Sequence, residues 1–513
     1  MPSSELPTSD PDVSLTERTL QAGHWRTASL IAQVALQFGT TVILARLLSP
    51  ADFGLAGLAL VVVGFVAVLA DAGLSSAVVY RRPLTSEAIR VAFTLTLLIA
   101  AGLCLALLLL APWLAAPFHH GSLPAVLRME APLFLLVAGG SIAKALLRRR
   151  LDFRRLFIVD VVSYVVGYAL VAVTLALLGF GVWSLVGAAL AQAAVASVVA
   201  LVLAPHPVRP LLLAKERRQL LNYGGAVTLN MVVGYFGRAA DILVIGRWLG
   251  TVELGLYTRA FALFAVPLSY LGTAMTSVLI PTMSEIHGDI GRSRSGYLLG
   301  VQLASMIAAP LCAGVIVAAP HMIVGLYGKP WAGAVLPLQI LAAAGTLRAV
   351  YNLSAAVTYA SGNVMAEVRR QAALAALLYI GAFIGTRWGI SGVAGGVVVG
   401  MIFMYFAMAH LTLRIVQGTW RQFFDAHLAG LALGLQVGLV AFVVRWTMER
   451  AGMGSLPTFL VILLACLTAV PIGLYWLPSQ LRPADLLSRL GTSLARLPLP
   501  LRVPLMRVLR LEA

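Results

Sequence analysis

Charge is scarce in this chain. Only 11% of its 513 residues are Asp, Glu, Lys or Arg, while 60% are hydrophobic and the mean hydropathy is +0.93. A soluble domain carries about 25% charged residues, so the water-facing surface of a soluble globule is missing and a polytopic membrane protein is the class that fits. Acidic residues are scarcer still, 20 against 37 Lys and Arg, which leaves a formal charge of +17. That balance would suit nucleic acid only if the basic residues clustered on one hydrophilic face. They stand instead in short gaps between apolar runs, so no nucleic-acid partner is expected. Cysteine is nearly absent: Cys104, Cys312 and Cys466 fall inside apolar runs without CxxC spacing, which argues against a disulfide framework or a metal site. Catalytic signatures are missing too. There is no Walker A loop, GxSxG or HExxH, and His119-His120 lack the companions of a ligand set and read as exposed loop. The expectation is a protein that is not an enzyme and needs no cofactor.

What is there in quantity is long apolar sequence. A helix needs roughly 20 apolar residues to cross the hydrocarbon core, and fourteen segments qualify. Six run near 25–48, 54–79, 89–111, 130–147, 156–178 and 182–204; six more near 221–249, 254–283, 296–319, 334–360, 366–386 and 390–415; a last pair near 427–447 and 456–477. Basic residues test this count. With the N-terminus inside, the outer gaps hold only Arg46, Arg128, Arg247, Lys329, Arg387, Arg445 and Arg450, while Lys144, Arg148–Arg150 and the arginine-rich tail fall inside. This positive-inside bias predicts a multi-pass protein with both termini cytoplasmic. Residues 1–20 are polar, with Pro2, Pro7 and Pro11 and no cleavable-leader pattern, and read as a disordered cytoplasmic tail.

Two stretches 201 residues apart share a pattern: Ala45-Arg46-Leu47-Leu48-Ser49-Pro50-Ala51-Asp52-Phe53-Gly54-Leu55 and Gly246-Arg247-Trp248-Leu249-Gly250-Thr251-Val252-Glu253-Leu254-Gly255-Leu256. Gly179-Phe180-Gly181-Val182-Trp183 likewise parallels Gly389-Ile390-Ser391-Gly392-Val393. A shift of six spans keeps both copies in one orientation, so the halves are parallel repeats. The predicted fold is an all-α polytopic membrane protein of about 14 transmembrane helices. Two pseudo-symmetric six-helix lobes, 21–205 and 206–416, precede a helix pair over 417–480 and a basic tail over 481–513 on the cytoplasmic or membrane surface.

A charge at mid-membrane costs about 2.5–3.5 kcal/mol on insertion scales, so such residues face a cavity or a partner. The candidates are Asp71, Asp160, Arg238, Asp241, Arg259 and Arg348. Arg238 and Asp241 stand three apart on one helix, where their side chains can meet; the pair is either a fixed internal ion pair or a switchable one. Arg348 has no local partner and is the leading anion-binding candidate, with Arg259 near a span end. Asp241 and Asp71 are candidates for cation coupling or gating. Arg46 with Asp52, and Arg247 with Glu253, read as structural clasps at matching outer turns, where a helix C-terminus favours a cation. Gly381, Gly385 and Gly389, and Gly396 with Gly400, form GxxxG spacings for close helix packing. Pro267, Pro281, Pro310 and Pro337 mark kinks or span ends. Trp25, Trp113, Trp248, Trp331 and Trp476 read as interfacial anchors.

These motifs carry a family resemblance. Arg46 to Gly54 followed by Asp71-Ala72-Gly73-Leu74, the stretch Leu146 to Phe153, and Arg238-Ala239-Ala240-Asp241-Ile242-Leu243-Val244-Ile245-Gly246-Arg247 resemble, in order and spacing, the bacterial polysaccharide-repeat-unit flippases. These are Wzx-type exporters of O-antigen, capsule and exopolysaccharide within the multidrug/oligosaccharidyl-lipid/polysaccharide superfamily, and the resemblance spans about residues 20–480. It implies a two-lobed bundle in the bacterial cytoplasmic (inner) membrane that moves undecaprenyl-pyrophosphate-linked oligosaccharide to the periplasmic leaflet by alternating access. Implied partners are the lipid-linked oligosaccharide and membrane lipids, with a polysaccharide polymerase and a chain-length regulator as further candidates. Arg238, Arg348 and Arg259 are then the residues expected to receive the pyrophosphate in a cationic lumen. Rival readings are a lipid II flippase, a multidrug cation antiporter and, from another class, a membrane glycosyltransferase or O-antigen polymerase.

Overall fold

The computed structural model describes residues 32–71, 78–79, 84–212, 235, 237, 239–285 and 289–476. These are helical throughout, with no strand among them. Helix α1 covers Ala32–Leu47, α2 Pro50–Asp71, α3 Ser86–Ala115, α4 Leu123–Glu130, α5 Leu133–Arg149, α6 Phe153–Leu177 and α7 Val182–Leu203. Residues 239–248 are helical. Then follow α8 Thr251–Glu285, α9 Ile290–Leu326, α10 Val335–Ala343, α11 Gly345–Ala360, α12 Val364–Gly385, α13 Gly389–Ile415, α14 Trp420–Arg450 and α15 Ser455–Trp476. Among the described residues nine helical segments are long and apolar enough to cross a membrane, or ten counting one bent pair. The chain divides into two compact units, Met1–Gly255 and Leu256–Ala513.

Local chemistry sets the helix ends. In α2, Pro50 stands at the first helical position, where its missing N–H costs nothing. The Ser49 hydroxyl donates to Asp52 Oδ2 at 2.6 Å while the Asp52 N–H returns a bond to Ser49 Oγ at 3.3 Å. Thr419 and Gln422 make the corresponding capping box on α14, and Thr85 Oγ1 caps α3 through the Ala88 N–H at 3.1 Å.

In the first unit the duplicated turns meet one another. A Cβ added at Gly54 would strike the carbonyl of Thr251, and one added at Gly255 would strike the carbonyl of Pro50. The 201-residue offset that relates the two motifs also relates the two halves of this contact, Pro50 to Thr251 and Gly54 to Gly255. The contact is reciprocal, and glycine at both positions is what lets the first turns of α2 and α8 touch backbone to backbone.

In the second unit the 51-residue stretch Met365–Ile415 turns back on itself at Thr386–Trp388. Gly381 packs on the backbone of Gly396 and Gly385 on that of Gly392, so α12 and α13 form an antiparallel hairpin. Gly389 belongs to the turn, with φ +65°. The segment predicted near 334–360 is broken: its two arms bend by 46° between Ala343 and Gly345. The bend lies beyond Pro337. Prolines 310 and 320 both lie inside the continuous α9. Trp331, expected at an interface, is fully buried with its ring 5.7 Å from that of Tyr327, whereas Trp113, Trp248 and Trp476 are exposed as anchors should be.

Candidate functional site

Among the described residues each unit holds a cluster of charge in apolar sequence. In the second unit Arg348 occupies the first turn of α11, directly after the 46° break. Gly345 allows this turn to sit against Cys312 of α9 and Phe264 and Leu268 of α8. The Arg348 guanidinium carbon lies 5.6 Å from the ring centres of both Phe261 and Phe264. These residues stand three apart on α8, so their rings flank one side chain. Cation–π contacts of this kind contribute about 0.5–2 kcal/mol each, which offsets part of the cost of a membrane charge. Arg348 is half-buried, and among the described residues no carboxylate lies within 4.0 Å of it. Arg259, also half-buried on α8, acts electrostatically on Tyr327. Burial pushes the Tyr327 hydroxyl up to about 12, and the nearby guanidinium works against that rise.

In the first unit a cavity of about 720 Å³ opens among α1, α5, α6 and α7. Its α5 wall is a single helical face of Leu133, Val137, Ser141, Lys144 and Arg148, steps of three and four that stack residues along one side. That face runs about 22 Å at 1.5 Å per residue. Gln33 and Gln37 project from α1, Asp160 from α6 and Gln192 from α7. Two features of the backbone place these groups. Helix α6 widens into a π-helix over Ser163–Ala169, one turn beyond Asp160, a distortion frequent at functional sites. Gly167 within it lets α6 pack on the backbone of Gln192. Gly140 does the same for α5 against Ser197, whose hydroxyl donates to the Leu136 carbonyl.

Asp160 accepts a hydrogen bond from Gln33 and feels the positive charges of Lys144 and Arg148. Among the described residues Lys144 and Asp160 form no ion pair within 4.0 Å, and the head groups of Lys144, Gln37 and Gln192 have no hydrogen-bond partner in the protein. Lys144, counted with the cytoplasmic basic cluster from sequence, lines this cavity. Gln33, Gln37 and Gln192 were missed because they carry no charge. The signal that could have found them is an amide pair at i and i+4 inside an apolar span.

Asp241 is buried on residues 239–248 and accepts from the Ile242 N–H at 2.9 Å. Arg238 lies outside the described residues, as does the side chain of Asp71, the last residue of α2. At the outer turns, Asp52 closes its own capping box and Glu253 stands in the first turn of α8, each carboxylate favoured there by the helix dipole. Arg46 is exposed at the end of α1. Arg247 donates to His119 Nδ1 and lies 5.8 Å from the Trp248 ring. No ion pair among the described residues joins Arg247 to Glu253. The arginine instead links the second motif to the loop before α4. No group of three or more His, Cys, Asp or Glu among the described residues could hold a metal ion.

Comparison with known proteins adds a family and a fold. Residues 43–336 match the family described as polysaccharide biosynthesis protein. The chain is 32% identical over 337 residues to the succinoglycan biosynthesis transport protein ExoT of Rhizobium meliloti, covering 65% of this chain and 67% of that protein. It is 22% identical over 358 residues to the lipopolysaccharide biosynthesis protein WzxC of Escherichia coli, covering 69% and 72%. Among solved structures, the lipid II flippase MurJ in an inward closed conformation superposes with a TM-score of 0.70 at 14% identity, over 88% of this chain and 98% of that one. A multidrug resistance MATE family transporter of the MOP superfamily, inward-facing, gives 0.60 at 18% identity, over 75% and 94%. At these identities the two structures establish the fold.

Proposed function

The chain belongs to the polysaccharide biosynthesis protein family, and from that premise we propose that it flips undecaprenyl-pyrophosphate-linked oligosaccharide repeat units. Movement runs from the cytoplasmic to the periplasmic leaflet of a bacterial inner membrane, by alternating access, with both chain termini cytoplasmic. The observation that carries this reading is Arg348: a guanidinium seated on Phe261 and Phe264 at a helix break, with no carboxylate within 4.0 Å among the described residues. A cation held on aromatic faces keeps its hydrogen-bonding edge for a ligand, and the planar fork of Arg matches phosphate oxygens. Broken membrane helices are where transporters build ligand sites. A pyrophosphate leaving water needs such a partner, because an unpaired charge in hydrocarbon is expensive.

In this reading Arg348, Arg259 and Arg238 receive the pyrophosphate, and Asp241 and Asp71 are the groups where a coupling cation would act. The six-helix lobes 21–205 and 206–416 are the bodies whose alternation exposes the cargo to each side, with 417–480 as the appended pair. Arg46, Asp52, Arg247 and Glu253 hold the outer turns. The names ExoT and WzxC support export of a polysaccharide precursor over a lipid II cargo, since the likeness to MurJ is one of fold.

Deleting the gene in its host tests this directly. Lipid-linked repeat units are expected to accumulate on the cytoplasmic leaflet, and complementation with the native chain to clear them. Complementation with Arg348→Ala or Arg238→Ala is expected to leave them in place. Full clearance by both variants would overturn the cationic-lumen reading.

A further inference from the structure

We propose that the cavity of the first unit is a glycan subsite, in which Gln33, Gln37, Lys144, Asp160 and Gln192 hydrogen-bond the hydroxyl groups of the cargo's sugars. The inference rests on the flipping reading above and assigns one part of the cargo to one part of the chain.

Three observations point to a sugar. The first is size: about 720 Å³ falls in the range of about 300–1,000 Å³ typical of sites for organic ligands. A bare cation needs several oxygens converging at 2–2.6 Å, and this cavity is lined by a single carboxylate, Asp160, together with the cations Lys144 and Arg148. The second is the donor and acceptor set. A phosphate only accepts hydrogen bonds, so it has no use for the Asp160 carboxylate or the carbonyl oxygens of three glutamines. A sugar hydroxyl both donates and accepts, and planar amides and carboxylates offer paired sites to neighbouring hydroxyls. The third is vacancy of the head groups. Among the described residues Lys144, Gln37 and Gln192 bond to nothing in the protein, although each was placed in an apolar helix at a cost. Lys144 of α5 and Asp160 of α6 line the same cavity and interact electrostatically without forming an ion pair within 4.0 Å among the described residues, a gap that a ligand bonding to both would bridge.

The face of α5 also has a direction. Its Leu133 end is apolar, and its polarity rises through Ser141 to Lys144 and Arg148. Polar cargo is therefore expected to engage from the Arg148 end.

The test uses the full chain in lipid nanodiscs and two probes: bare undecaprenyl pyrophosphate, and the lipid-linked repeat unit extracted from the deletion strain. The native chain is expected to bind the glycan-bearing lipid at least about tenfold more tightly than the bare lipid, because a site built to bond hydroxyls is left unpaired without them. Gln37→Leu with Gln192→Leu is expected to remove that preference while leaving affinity for the bare lipid within about twofold. A double variant that keeps the full preference overturns the subsite. So does a native chain that binds both lipids equally, in which case flipping stands and the assignment of the glycan falls. A native chain that binds neither lipid overturns the flipping reading and the subsite with it.

A second measurement does not depend on the double variant folding. Ser141→Cys, in a chain whose Cys104, Cys312 and Cys466 are replaced by Ala, is labelled with a water-soluble thiol reagent. The glycan-bearing lipid is expected to slow labelling at least about fivefold and the bare lipid not at all. Equal labelling with both overturns the proposal.

Discussion

Arg348 and Lys144 are both cations set in apolar helices, yet their surroundings differ in kind. Arg348 lies on two aromatic rings at the break between α10 and α11. Lys144 stands on one face of the unbroken α5, in an open cavity that a carboxylate and three amides also line. The first arrangement fixes a guanidinium and offers donors alone, which suits a phosphate. The second offers donors and acceptors in a mixed array, which suits hydroxyls. The two units thus present different chemistry.

The largest effect that would break this contrast is expected at Arg348. Arg348→Ala should lower repeat-unit transport in proteoliposomes by roughly 100-fold, since charge-assisted hydrogen bonds contribute about 1.5–3 kcal/mol each. Arg348→Lys should recover part of that loss, because an ammonium supplies the charge without the planar fork. Equal rates for Lys and Ala would mean that charge is not what the site provides.

Next in size is a steric test of the cavity wall. Gly140→Val places a side chain against the backbone of Ser197 and should destabilise the chain by about 1–3 kcal/mol, read as a lower Tm in detergent. Gly395→Val on α13, where nothing lies within 4 Å of the added Cβ, should shift stability by less than about 0.5 kcal/mol. Smaller again is the aromatic seat. Phe261→Leu with Phe264→Leu should weaken binding of undecaprenyl pyrophosphate by roughly threefold to tenfold, the loss of about 0.5–1.5 kcal/mol of cation–π attraction. An effect of similar size, on stability alone, is expected at the duplicated turn. Ser49→Ala removes the hydroxyl that bonds Asp52 and should cost about 1 kcal/mol of stability with transport unchanged.

Much of the architecture was legible because apolar run length, basic-residue placement and an internal repeat are properties of sequence order. Arg46-to-Gly54 and Arg247-to-Gly255 were recognisable as copies, and the structure adds that the copies touch through Gly54 and Gly255. Arg348 stood out as a charge without a local partner. Its seat did not, because Phe261 and Phe264 lie more than 80 residues away and the break falls at Ala344, where no proline announces it. Trp331 was misread for a related reason: an indole near a span end suits an interface or a core equally well, and packing against Tyr327 decided it. A search for charge picked out only Asp160 of the cavity's polar groups, since three of the others are neutral glutamines and Lys144 sat beside a run of arginines that accounted for it too easily.

In the proposed function an arginine in an aromatic seat carries the pyrophosphate of a lipid-linked glycan across the bilayer. The most direct measurement reconstitutes the full chain in vesicles with the extracted repeat-unit lipid on the protein's cytoplasmic side and counts how much becomes accessible to a glycan-cleaving enzyme on the other side. Transfer is expected from the native chain, and transfer roughly 100-fold slower from a folded Arg348→Ala variant. Equal transfer by the two would contradict it.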